Sequence, residues 1–214
     1  MRQLTLQMQI SIDGFVGGPK GELDWMFKTI DESLTKWIVE HLWEAGVHIM
    51  GRKTFQDMSS YWPTSTESFA PPMNEIPKIV FTKKGFDKTT RNEVTAAVQD
   101  AIRSREEKGL NVTPSHLASE QSWNDATVVV GNLEEEIRRL RQQPGKNILA
   151  HGGAGFARDL VKSGLIDEYR LVIHPVALGK GLSLFSSLPE TSYLKLAETK
   201  VFDSGAVVHI YRAN

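Results

Sequence analysis

The sequence predicts a mixed, mainly parallel α/β sheet flanked by helices and finished by a C-terminal antiparallel hairpin. Segments with the two-residue period of strands alternate along the chain with segments of helical period, the pattern of βαβ units with helices on both faces of a sheet. Glycine-rich turns stand where strands give way to helices, at Gly51 and again from Gly152 to Gly155. The last two extended stretches are joined by Asp203-Ser204-Gly205, a tight-turn signal, with no helix between them.

Taken in order, Leu4, Leu6, Met8, Ile10 and Ile12 alternate with Thr5, Gln7, Gln9, Ser11 and Asp13, which predicts a strand with one buried face, ending at Asp13-Gly14. Leu34, Trp37, Ile38, His41, Leu42 and Ala45 recur at three- and four-residue spacing and form one stripe of a helix, with Gly46 placed to stop it. Short strands are expected at 47–50, 78–82, 126–130, 147–151 and 168–174. Helices are expected at 93–108, at 133–142 behind an Asn132 cap, and at 154–163 with Gly164 as the stop. Residues 193–202 and 206–212 make the closing hairpin. Residues 59–77, rich in Pro, Ser and Thr, are read as mostly loop. The charge run from Arg103 to Lys108 reads as the solvated face of an exposed helix, and 88–122 as a peripheral helix-and-loop excursion from a single domain spanning 1–214.

Composition narrows the function. At 214 residues the chain is long enough for one α/β core that buries roughly 70% of its unfolded surface. Lys and Arg total 25 against 26 Asp and Glu, so no global field draws nucleic acid or an anionic membrane. The absence of cysteine removes disulfides, thiolate metal sites and cysteine nucleophiles. The N-terminus lacks the apolar run of a signal peptide, and no stretch approaches the roughly 20 apolar residues of a membrane span. These features lead to the expectation of a cytoplasmic protein acting on a small molecule, with no nucleic-acid or membrane partner. His48, His151, His174 and His209 lie at scattered positions in or beside strands, so they read as satisfied structural histidines and no metal is expected.

Three motifs carry chemistry. Gly51-Arg52-Lys53-Thr54 follows a strand and precedes a helix, where free amides, a close-approach glycine and two cations suit a phosphate; a plain surface turn would look the same. His151-Gly152-Gly153-Ala154-Gly155-Phe156 stands in a second strand-to-helix turn. Its glycines fit either a pyrophosphate cradle or a tight connection, and neither the Walker nor the full Rossmann spacing is present. The third runs from Asp13-Gly14 through Gly17-Gly18 to Gly21-Glu22-Leu23-Asp24-Trp25, a loop able to cover a ligand.

In this order and over nearly the whole chain, these pieces resemble the dihydrofolate reductase superfamily, most closely the reductase domain of the riboflavin-biosynthesis deaminase-reductases. Lys78 to Lys83, Gly164 to Glu168 and Pro175 to Gly181 extend the match. The resemblance implies NADPH as cofactor, held by Gly51, Arg52, Lys53 and Thr54, by Thr82, Lys83 and Gly131, and by Gly152, Gly153, Ala154, Gly155 and Phe156. It also implies a cis Gly152-Gly153 peptide and a homodimer. The extra positive charge of Arg52, Lys53 and Lys83 agrees with NADP over NAD.

By the same resemblance Asp13 faces the nicotinamide, Gly14, Trp25 and Trp37 border the substrate, and Asp31 is the nearest acid to meet it. Asp31 or Ser33 could equally cap the helix that carries Leu34 and Trp37. Asp24 stands where the folate enzymes have proline, and no zinc-deaminase motif is present. The reading is therefore an NADPH-dependent reductase of a small heterocyclic or sugar-bearing substrate, with a non-catalytic NADP sensor or a true dihydrofolate reductase as rivals.

Overall fold

The computed structural model describes residues 1–88, 95–110 and 117–213. Along the chain run β1 (Leu4–Ser11), α1 (Asp24–Phe27), α2 (Glu32–Leu42), β2 (Ala45–Gly51), α3 (Arg52–Tyr61), α4 (Ala70–Glu75), β3 (Lys78–Thr82), α5 (Ala96–Glu107) and α6 (Leu117–Asn124). Then follow β4 (Thr127–Val130), α7 (Leu133–Gln142), β5 (Asn147–Ala150), α8 (Ala154–Ser163), β6 (Glu168–His174), β7 (Leu194–Val201) and β8 (Val207–Ala213). The eight strands form one sheet in the order β4-β3-β2-β5-β1-β6-β8-β7. Every pair from β4 to β6 is parallel, and β8 pairs antiparallel with both β6 and β7. The expected mixed sheet with a C-terminal hairpin is what forms.

Helices cover both faces. On one, Leu4, Leu6, Val47, Ile49, Ile148 and Ala150 pack against Ile137 and Leu140 of α7 and Ala157 and Leu160 of α8. On the other, Met50, Val80, Leu149 and Val172 pack with Leu34 and Trp37 of α2, Phe55 of α3 and Met73 of α4. This two-sided cover corrects the reading of β1, because Thr5, Gln7 and Ser11 are buried along with the alternating apolar residues. Polar side chains therefore lie inside the molecule on the α2 side.

Other expectations give way to packing. Helix α2 stops at Leu42, and Gly46 sits inside β2 beside a register shift. A Cβ there would lie 3.0 Å from Lys146 Cβ, so that glycine serves close packing. Residues 59–77 are more ordered than a loop: α3 runs on to Tyr61, a 3₁₀ turn covers Trp62–Thr64, and α4 begins at Ala70 with prolines in its first turn. Proline breaks a helix interior but suits its start, where no N–H is needed.

The excursion is also less peripheral than expected. Asp100, Ser104 and Arg105 of α5 are buried, and α5 lies on α1 and α3, with Asp100 Oδ2 accepting from Leu23 N at 2.9 Å and Thr95 Oγ1 donating to Asp57 Oδ1 at 2.9 Å. The parts of the predicted helix and loop at 89–94 and 111–116 lie outside the described residues. Among the described residues no helix is long and apolar enough to cross a membrane.

Candidate active site

Strands β2 and β5 are parallel neighbours, so the turns that follow them emerge side by side at one end of the sheet. Each turn starts a helix with a glycine and no side-chain cap, α3 behind Gly51 and α8 behind Gly153. Their first-turn amides have no side-chain cap and could take a ligand, and the positive ends of both helix dipoles lie in the same region. Approach is close enough to require glycine: a Cβ on Gly51 would lie 2.9 Å from Phe156 Cβ, and one on Gly153 3.0 Å from Thr54 Oγ1. Gly51, Thr54, Gly153 and Phe156 are thus brought together as one unit. The Gly152-Gly153 peptide is cis, as the resemblance implied.

The remaining cofactor candidates ring this unit. Ala154 and Gly155 occupy the first turn of α8. Arg52 and Lys53 are exposed at the start of α3, and Lys53 Nζ lies 3.7 Å from the position of a Cβ on Gly21, which brings the glycine-rich loop beside the turn. Thr82 ends β3 opposite Val130 of β4, so Lys83 and Gly131 are adjacent one residue further on. Lys83 Nζ meets Asp159 at 3.6 Å, but the two side chains are 89% and 51% exposed, a pair worth little in water and easily exchanged for a ligand phosphate. Phe156 stacks on Phe81 with ring centroids 5.4 Å apart, tying the α8 turn to β3.

The candidates at the other end of the cleft take different roles. Asp31 is the N-cap of α2: Oδ1 accepts from Leu34 N at 2.7 Å and Ser33 Oγ at 2.8 Å, and Oδ2 from Ser204 N at 2.7 Å. Burial pushes its pKa upward, but these hydrogen bonds outweigh that and hold it at about 2. Asp31 is thus a helix cap and a hairpin anchor. Asp13 accepts from Ser11 Oγ at 2.5 Å and from the amides of Leu178 and Gly179 at 3.0 and 2.7 Å. Ser11 first, then those amides, lower its pKa, so Asp13 clamps two loops together. Trp37 is buried against His41 and Phe202 and belongs to the core.

Trp25 is buried, with Nε1 donating to Glu22 O at 3.1 Å and its ring edge-on to His174 at 5.4 Å. Gly14 closes the turn after β1, its N–H donating to Ser11 O at 3.0 Å. Beneath Trp25, His174 Nε2 donates to Gln9 Oε1 and its Nδ1 accepts from Thr29 Oγ1, both at 2.6 Å. Burial lowers the His174 pKa to about 4, so this chain is neutral. His209 pairs with Tyr211 at 2.9 Å. His174 and His209 match the expectation of satisfied histidines, and the His48 ring bonds the Leu42 backbone, whereas Nε2 of His151 has no partner. Among the described residues no group of three His, Cys, Asp or Glu side chains comes together to hold a metal.

Sequence reasoning missed this polar floor of Gln7, Gln9, His151 and His174. The available signal was the glutamines of β1: a strand in a parallel sheet is covered on both faces, so its polar positions must face something internal.

Known proteins share the sequence family and the fold of this chain. The family model described as the RibD C-terminal domain matches residues 2–209. The uncharacterised protein YyaP of Bacillus subtilis is 30% identical over 214 residues, covering 100% of this chain and 96% of that one. A structure from Shewanella sp. PV-4, described as a candidate riboflavin biosynthesis protein, superposes with a TM-score of 0.71 at 19% identity, covering 100% of this chain and 99% of the other. Dihydrofolate reductase from Enterococcus faecalis, solved with NADP(H) and RAB-propyl, gives a TM-score of 0.57 at 16% identity over 99% and 96% of the two chains. At these identities the two structures speak for the fold.

Proposed function

The chain belongs to the RibD C-terminal domain family, and from that membership together with the paired turns at Gly51 and Gly152 we propose that it is an NADPH-dependent reductase of a small heterocyclic or sugar-bearing substrate. The observation that carries the reading is the pair of uncapped helix starts held so close by glycine that a Cβ on Gly51 or Gly153 would meet the opposite turn.

The residues present fit the cofactor. First-turn amides of α3 and α8 suit a pyrophosphate, while Arg52, Lys53 and Lys83 supply cations for a further phosphate. When bound, the reduced nicotinamide supplies hydride. This chain orients it through the Gly152-Gly153 turn, excludes water with the loop from Gly14 to Trp25, and presents the neutral Gln9–His174–Thr29 network beneath Trp25. The capping bonds of Asp31 speak against a dihydrofolate reductase role, which would need that acid at the substrate.

NADPH oxidation followed with dihydrofolate, ribosylamino-pyrimidine and carbonyl panels tests the activity. Turnover with one of the last two supports the reading; NADPH binding with no oxidation across the panels makes the protein a sensor. The homodimer is part of the same proposal, supported by the edge strand β7, which is exposed along nearly its whole length and displays Leu196 and Val201.

A further inference from the structure

On the α2 side of the sheet, Thr5 Oγ1 and Gln7 Oε1 are buried without a hydrogen-bond partner, and so, beside a His48 ring that bonds the Leu42 backbone, is His151 Nε2. Thr5, Gln7, His48 and His151 are 2%, 8%, 0% and 8% exposed, respectively. They form one patch. Thr5 and Gln7 share a face of β1; Leu6 pairs with Ala150 of β5, so Gln7 and His151 stand side by side one residue later. His151 and His48 meet edge to face with ring centroids 4.5 Å apart.

A buried polar atom left unpaired costs about 1–3 kcal/mol, and folded proteins carry few of them. The neighbouring row shows that this fold can satisfy such groups, since Gln9, His174 and Thr29 are linked at 2.6 Å on each side of the imidazole. The unsatisfied row lies directly before the Gly152-Gly153 turn. No carboxylate belongs to it. Burial holds the His151 pKa to about 4 and that of His48 well below its usual value, with Lys78 and, for His48, His151 adding to the effect. Lys78 is itself committed to Asn74 O at 3.0 Å and Ser122 Oγ at 2.7 Å. The patch thus offers neutral donors and acceptors; burial lowers the pKa of the nearby Lys78 to about 7, which weakens it as a counter-charge, and an ionised ligand would have to give up its hydration there.

We infer that Gln7 and His151 form the polar floor of the substrate site and receive an uncharged carbonyl group with an adjacent hydrogen-bond donor, as in an amide or an α-hydroxy carbonyl. Gln7 Oε1 accepts from the donor and His151 Nε2 donates to the carbonyl oxygen, with His48 packed behind. The assignment to substrate rests on the reductase reading, which puts the nicotinamide at the adjoining turn.

The test uses the full chain with ¹⁵N-labelled histidine, titrated with 2-pyrrolidinone as the neutral probe and with acetate as the charged one. The expected result is that 2-pyrrolidinone shifts the His151 Nε2 resonance and acetate does not. In Gln7→Leu that response is lost, while the thermal midpoint holds or rises by about 2 °C, because an unpaired acceptor has been replaced by an apolar group of similar size. His151→Leu is the second variant: its midpoint holds, and the smaller shift that 2-pyrrolidinone causes in the wild type at His48, whose ring touches that of His151, is lost.

An unmoved His151 in the wild type, an equal response to acetate, or a fall in midpoint in both variants would overturn the inference; the last would mean that the two groups have structural partners. NADPH fluorescence titrations on the same samples separate the two claims. A wild type that binds NADPH but ignores 2-pyrrolidinone overturns the floor alone. A wild type that fails to bind NADPH overturns the reductase reading, and the 2-pyrrolidinone result still decides whether the floor is a carbonyl site.

Discussion

At the scale of single residues, the same carboxylate chemistry serves structure where the sequence offered it for catalysis. Asp31 closes the first turn of α2 and also holds the hairpin through Ser204. Asp31→Ala is expected to cost about 1–2 kcal/mol, the usual worth of an N-cap, and to leave NADPH affinity unchanged; thermal unfolding and a cofactor titration on the variant check both. The buried imidazoles set the acid limb of stability. His151 and His174 titrate at about 4 in the folded protein against 6.5 when free, and His48 is shifted in the same direction. Between those values the unfolded chain binds more protons than the folded one, so stability is present above about pH 6.5 and is lost as pH falls toward 4. Thermal midpoints measured across that window should drop steeply. A flat profile would show that these rings are not held neutral.

At the scale of elements, the two turns act as one device. Arg52→Ala with Lys53→Ala is expected to lower the preference for NADPH over NADH by about tenfold or more, the worth of one charge-assisted hydrogen bond, as read from paired binding titrations. An unchanged ratio would remove these side chains from the phosphate. The glycine turns were legible in the sequence because close approach tolerates almost no other residue, and the βα alternation was legible from period alone. What escaped was decided by tertiary context. Gly46 reads as a helix stop yet serves packing against Lys146, and prolines after Ala70 read as loop while starting α4. Likewise, the charge run at Arg103 hides Arg105, buried with its guanidinium 5.0 Å from the Tyr61 ring centre. The polar face of β1 looked solvent-facing because alternation cannot distinguish water from a covered polar floor.

At the scale of the molecule, the sheet order places β2 and β5 at its middle and the ends of β1, β3 and β6 around them, so one end of the sheet gathers the cations, the glycine cradle and the neutral histidines. The opposite flank ends in β7, whose open edge is the proposed seam between two copies. Val201→Lys on that edge should convert a dimer to a monomer by light scattering without altering cofactor affinity, and a dimer that survives it would place the seam elsewhere. The proposed function requires the turns at Gly51 and Gly152 to form one NADPH site. Calorimetric titration of the wild-type protein tests this directly: saturable binding of NADPH, tighter than NADH, is the predicted result, and failure to bind either nucleotide would contradict it.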